Sequence, residues 1–169
     1  MFLFQVDGCK NYTVLSEGDC AQGYASQSNG TCDRKVLVTG WYRFQGAAGD
    51  RMPDKCVLMW RCSTEHPGWL NGTHPTVDEG VVIRRVCYSN GENCCARSNI
   101  IKVKNCSGYY AYELQRTPDC NFRYCGNARP RKLHSFDYLC QLRNLNDFKY
   151  MISFKIFCKT LEGFKSSYL

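Results

Sequence analysis

The chain has 169 residues, 44% hydrophobic and 22% charged, a balance that suits a packed globule rather than a disordered polymer. Its net charge of +7 is unevenly spread: residues 126–169 carry 8 Lys/Arg against 3 Asp/Glu, whereas residues 1–125 carry 14 against 12. The basic excess sits in the tail, so the total charge does not mark residues 1–125 as a nucleic-acid-binding domain.

In chain order, Met1-Phe2-Leu3-Phe4 is followed at once by Gln5 and Asp7, too short an apolar run for the core of a signal peptide. No stretch approaches the roughly 18 apolar residues of a membrane span. The chain therefore reads as a fragment, a module of a larger protein or an incomplete gene model. Residues 9–35, rich in Ser, Gly, Asn, Asp and Thr, read as loop and turn pinned by cysteines. Lys35–Thr39 and Gly40–Phe44 are β-branched and aromatic and predict strand; residues 46–50 break it. Val57–Trp60 predicts a short buried strand, and residues 63–80, with two prolines and three glycines, a long polar loop. Val81–Cys87 predicts strand, as does Ile100–Cys106, where Ile101 and Val103 alternate with Lys102 and Lys104. Gly108–Leu114 completes a hairpin across Ser107-Gly108. The fold class is thus mainly β with little helix: a small disulfide-rich domain with cross-linked loops. After Cys125 the pattern becomes irregular. Residues 136–158 suit a helix, and 126–169 are expected to form a helical or disordered basic tail beside a module spanning 7–125.

Thirteen cysteines set the compartment. In the cytosol so many thiols would usually hold metal. Structural zinc favours pairs separated by about two to four residues, and no C-x-x-C occurs here. Disulfides are the expected state. Adjacent Cys94 and Cys95 are expected to clamp two different partners, because a bond between neighbours is strained. Four N-x-S/T sequons, at Asn11, Asn29, Asn71 and Asn105, point to the same oxidising secretory route.

Catalysis is not expected. The histidines are His66, His74 and His134; the first two precede proline in the polar loop and read as turn residues, and no G-x-S-x-G is present. Asp78 and Glu79 are adjacent and point to opposite faces of an extended chain, a poor glycosidase pair. No EF-hand loop or phosphate loop is present, and no cofactor or metal site is expected. Arg129-Pro130-Arg131-Lys132 resembles a nuclear-localisation patch, but secretory features make nucleic acid a poor partner.

Specific motifs narrow the reading further. Gly40-Trp41-Tyr42-Arg43-Phe44, Met52-Pro53-x-x-Cys56, Pro67-Gly68-Trp69-Leu70-Asn71-Gly72-Thr73-His74-Pro75, Glu79-Gly80-Val81-Val82, Cys94-Cys95, Val103-Lys104-x-Cys106 and Tyr109-Tyr110-x-Tyr112-x-Leu114 together resemble a known extracellular module. It is the cysteine-rich domain, of eight or ten cysteines, in the uromodulin and pancreatic zymogen granule glycoprotein family. The similarity covers about residues 7–125. The resemblance implies a disulfide-rich β module, usually followed by a zona pellucida module, within an arm that displays glycans to mannose-binding bacterial adhesins. It also implies the pairs Cys9–Cys106, Cys32–Cys120, Cys56–Cys94, Cys62–Cys125 and Cys87–Cys95. Cys20, Cys140 and Cys158 fall outside that pattern. A family sequon that follows the Tyr-Tyr-x-Tyr stretch in uromodulin is replaced here by Glu113-Leu114-Gln115, while the one at Asn71 is kept.

The resulting expectation is a secreted or cell-surface glycoprotein module that acts as a binding or display surface. Its partners would be proteins or glycan-binding adhesins outside the cell. The alternative, from another class, is a secreted signalling ligand that dimerises through Cys20; a hydrolase using His66 or His74 is a remote third.

Overall fold

The computed structural model describes residues 7–25 and 32–129. The expected helix at 136–158, together with Asn29, His134, Cys140 and Cys158, lies outside the described residues.

Seven strands form one sheet: β1 (Thr13–Leu15), β2 (Gly40–Phe44), β3 (His66–Asn71), β4 (Val81–Tyr88), β5 (Arg97–Asn105), β6 (Tyr110–Leu114) and β7 (Phe122–Tyr124). Their order is β1-β2-β6-β5-β4-β3-β7, and the sheet curls into a half-barrel. The pairings at its two ends, β1 with β2 and β3 with β7, are parallel, and the rest are antiparallel. Among the described residues helix is confined to single turns: α1 (Asp33–Val36) and two 3₁₀ turns at Gly18–Cys20 and Gly46–Ala48.

The alternation read in the sequence fixes which face is buried. Tyr42, Tyr112, Val103 and Val82 stand in one row across four strands. The first three are buried, and Val82 packs against the same core with Phe44, Leu70, Val86, Tyr88, Ile101, Leu114 and Tyr124. Residues one step along each strand point to the opposite, outer face. The β5–β6 hairpin closes through Ser107 and Gly108, with φ of 55° and 130°, and Cys106 N donates to Tyr109 O at 2.8 Å. Both turn residues take the left-handed sense that matches strand twist.

β1 interrupts the loop expected at 9–35, and further local expectations fail where tertiary contacts outweigh local preference. Lys35–Thr39 is not a strand, and its first two residues lie in the turn α1 (Asp33–Val36). Asp33 is buried there, accepts a hydrogen bond from Tyr124 N at 2.9 Å, and lies 3.5 Å from Arg123 Nε, which anchors the turn. Val57–Trp60 is irregular: Val57 is buried, but Leu58 and Trp60 are exposed, and Trp60, Cys62 and Ser63 all have positive φ. Conversely, the expected loop at 63–80 contains β3. Pro67 lies near its start, and Gly68 lies in one row with Tyr88 and Tyr124 on the inner face. A Cβ on Gly68 would come within 2.7 Å of the Tyr88 ring and 3.0 Å of Arg123 O. The residues that read as loop punctuation are there because the strand passes between two aromatic rings.

The module also extends past Cys125. Gln22 N and Gly23 N donate to the carbonyls of Gly126 and Ala128, and Asn127 N donates to Arg51 O. A Cβ on Gly126 would meet Ala48 O, so this close approach requires glycine.

Candidate functional site: a disulfide frame with glycan-acceptor asparagines

Ten cysteines pair as Cys9–Cys106, Cys32–Cys120, Cys56–Cys94, Cys62–Cys125 and Cys87–Cys95, with Cα separations from 4.6 to 5.7 Å. Cys87 lies within β4, Cys106 and Cys125 directly follow β5 and β7, and the other bonded cysteines lie in connecting segments. Cys9–Cys106 straps the chain before β1 over the outer face of β2 and β6. Under that strap Gly8 lies so close to the Trp41 indole that a Cβ would fall 2.2 Å from the ring. The Arg43 guanidinium stacks over the Tyr109 ring at 3.9 Å and donates to Tyr12 Oη at 3.1 Å, while Lys104 Nζ donates to Asp7 at 2.8 Å. Hydrogen bonds from Lys104 and from Cys9 N hold the Asp7 carboxyl below the usual carboxylate range.

At the other end, Cys62–Cys125 joins Val57 and Trp69 in a small second core on the outer face. Adjacent Cys94 and Cys95 reach Cys56 and Cys87, respectively, so the 89–96 turn is held from two directions. Arg123 is buried beside this cluster. Asp19 accepts from its two terminal nitrogens at 2.9 and 3.2 Å, and Cys62 O accepts a further bond.

The acceptor asparagines differ in their surroundings. Asn11 is exposed and lies two residues before β1, the strand at one edge of the sheet. Asn71 is exposed at the end of β3, directly opposite Arg85 on β4. Its Nδ2 donates to Cys87 Sγ at 3.4 Å. Asn105 is half-buried: its Nδ2 donates to Pro75 O at 2.9 Å, and its Oδ1 accepts from Ser107 N at 3.0 Å.

His66 and His74 serve packing. His66 Nδ1 bonds Ser89 O at 2.8 Å, and its ring stacks on Phe122. His74 Nε2 accepts from Tyr112 Oη at 2.8 Å, and that oxygen in turn accepts from Met52 N. Burial pushes the His74 pKa down to about 4, so the ring is neutral, as its acceptor role requires. Glu79 accepts from Thr76 N at 2.6 Å, which caps a turn. Among the described residues no group of three or more His, Cys, Asp or Glu is arranged to hold a metal ion.

Cys20 is the free cysteine among the described residues. Only 3% of it is exposed, its Sγ donates to Glu17 O, and burial pushes the thiol up to about 11. A thiol so placed is a poor nucleophile and out of reach of a second chain, which removes the physical basis for a dimer linked through it.

Comparison with known proteins places this frame. Residues 42–126 match the family model of the uromodulin-like cysteine-rich domain. The chain belongs to that family. The uromodulin-like domain is a structural, non-catalytic module. The dog (Canis lupus familiaris) pancreatic secretory granule membrane major glycoprotein GP2 is 46% identical over 123 residues, which cover 72% of this chain and 24% of that protein. The human protein of the same name is 43% identical over 120 residues, 70% of this chain and 22% of that protein. Rat (Rattus norvegicus) uromodulin is 41% identical over 124 residues, 70% of this chain and 18% of that protein. The uromodulin-like chain thus spans about a quarter or less of these relatives' length.

The sequence pointed to the cysteines and sequons of the uromodulin-like domain but not to what surrounds them. The strap contacts of Gly8, Tyr12 and Arg43 left no spacing signal, since they join residues about 30 to 100 positions apart. The nearest hint was aromatic: Tyr12 and Tyr109 each lie within three residues of a cysteine of one disulfide.

Proposed function

We propose that this uromodulin-like domain is an extracellular display module, a rigid cross-linked scaffold that presents N-glycans to carbohydrate-binding proteins. Microbial adhesins that recognise mannose-type sugars are the partner class. The observation that carries the reading is the exposure of Asn11 and Asn71 on a frame fixed by five disulfides. A sugar displayed on a rigid sheet loses little further freedom when it is bound, which favours recognition. The dog and human relatives are named as secretory granule membrane glycoproteins, which supports the same compartment for this chain. Ordinary disulfides require that compartment as well. The whole protein to which such a module belongs is expected to be longer.

Secretory expression tests the reading. Peptide mapping without reduction is expected to find glycans on Asn11 and Asn71 and the cysteines of the frame oxidised. A mannose-specific lectin is expected to retain the protein until endoglycosidase removes the sugars. Bare asparagines, or reduced cysteines in secreted material, would refute it.

A further inference from the structure

The outer face of the sheet is covered at both ends and open between them. The strap through Cys9 covers β2 and β6, and the small core around Trp69 and Cys125 covers β3 and β7. Between them, on β4 and β5, Val81, Ile83 and Ile100 are 40%, 67% and 49% exposed, in a field that also holds Arg85 and Lys102. Contiguous apolar side chains left open on a sheet face usually have an occupant.

The register supplies one. Asn71 pairs with Arg85, and Arg85 with Ile100, so the three side chains stand in one row on the outer face. β3 ends at Asn71, whereas β4 continues back through Arg84, Ile83, Val82 and Val81 with no β3 partner beside it. Gly72, with φ of 135°, turns the chain away, and Thr73 O accepts from Arg84, whose side chain lies on the inner side. The position beside Ile83 on the outer face, where the next β3 side chain would stand, is therefore vacant. By strand geometry Ile83 lies roughly 8 Å and Ile100 roughly 10 Å from Asn71, within reach of the first sugars of an N-glycan. Glycosylation replaces one hydrogen on Nδ2. The other still serves the bond to Cys87 Sγ, which lies on the side of Asn71 away from Ile83.

We propose that the N-glycan on Asn71 folds back over this window and packs on Ile83 and Ile100, so that the sugar is the missing cover of the outer face. The apolar C–H face of a pyranose suits the two isoleucines, and its hydroxyls suit the Arg85 guanidinium and the Lys102 ammonium, which also pairs with Glu113 at 2.7 Å. The contact hides a sticky patch and holds the glycan stem in one direction, with its outer sugars free for a partner. This inference rests on the display reading in one respect, that Asn71 carries a glycan.

The test uses the full chain made in glycosylating cells. Thr73→Ala removes the sequon but keeps Asn71 and its bond to Cys87; the carbonyl that Arg84 uses is main chain and remains. Glycopeptide mass spectrometry reports occupancy, anilinonaphthalene sulfonate fluorescence reports apolar exposure, and sedimentation reports self-association. Thr73→Ala is expected to raise dye fluorescence and shift the protein toward dimers, and Ile83→Ser with Ile100→Ser in the same chain to abolish both changes. Trimming the native protein enzymatically to a single N-acetylglucosamine gives an independent measurement without substitution, with a smaller rise expected than for complete loss. If Asn71 is occupied and neither treatment alters fluorescence or association, or the rise persists in the serine background, the packing is wrong and the display reading stands. If Asn71 is bare in secreted wild-type protein, both fail at this position, and the mass alone separates the two cases.

Discussion

His74 and Asp33 are buried groups whose protonation acts on stability in opposite senses over nearly the same pH range. Burial lowers His74 to about 4, with Arg51 and Arg84 adding to the shift and Asp50 and Asp54 opposing it. An unfolded histidine titrates near 6.5, so between about 4 and 6.5 the unfolded chain binds the extra proton and stability rises with pH. Burial raises Asp33 to about 6 against Tyr124 N–H and Arg123, which favour the charged form. Between about 3.8 and 6 the folded state binds the extra proton, and stability falls as pH rises. The two slopes offset each other in the wild type. Relative to it, Asp33→Asn is expected to make the melting temperature climb more steeply from pH 4 to 6, and His74→Gln to make it fall over the same interval; melting curves at half-unit steps decide. A second residue-scale outcome concerns Asn105, which the sequon pattern places beside Asn11 and Asn71 as an acceptor. Its Nδ2 is aimed at the carbonyl of Pro75, a fully buried residue, so an attached sugar would point into the fold. Glycopeptide mapping is expected to find Asn105 largely unmodified, and Asn105→Ala to destabilise by about 1–2 kcal/mol because two hydrogen bonds are lost.

Strand β5 was readable because it is amphipathic on its own. Ile101 and Val103 against Lys102 and Lys104 state a period of two without help from other elements. β3 was not, since its reason for being a strand lies in its neighbours. Pro67 and Gly68 are poor strand formers, yet the row Tyr124, Gly68, Tyr88 needs a residue with no side chain between two rings whose centroids are 6.1 Å apart. The same logic removed the strand expected at Lys35–Thr39, where a buried carboxylate at Asp33 decides the backbone for its apolar followers; Val36 and Val38 are left exposed. Gly68→Ala is therefore expected to destabilise by about 1–3 kcal/mol through overpacking against the Tyr88 ring and Arg123 O. Gly80, where a Cβ would meet nothing, separates backbone strain from crowding: its φ is 62°, so Gly80→Asn, which tolerates that region, should change the melting temperature little. Equal losses in the two variants would show that crowding at β3 is not the cause.

At the scale of the molecule the disulfides connect what the sheet alone leaves loose, and their contributions should follow the chain they close. Cys9–Cys106 joins residues 97 apart and ties the strap to the β5–β6 hairpin, whereas Cys87–Cys95 joins residues 8 apart within one turn. On the chain-entropy account the first constrains the unfolded state by about 4.7 kcal/mol and the second by about 2.5 kcal/mol. The enthalpic account would instead tie the cost to what each link packs against. The two differ here, because Cys87 is fully buried while Cys9 and Cys106 lie at the margin of the strap. Urea unfolding of Cys9→Ala/Cys106→Ala and Cys87→Ala/Cys95→Ala decides between them: a larger loss for the first pair supports loop entropy, and a larger loss for the second supports packing. The reduced wild type should lose its sheet at neutral pH in reductant alone, because the covering segments 7–12 and 53–65 bury few apolar side chains besides Cys62, namely Pro53 and Val57. Far-ultraviolet circular dichroism that stayed unchanged on complete reduction would mean that the half-barrel stands without its links, and that the cysteines fix the position of the covers rather than the existence of the fold.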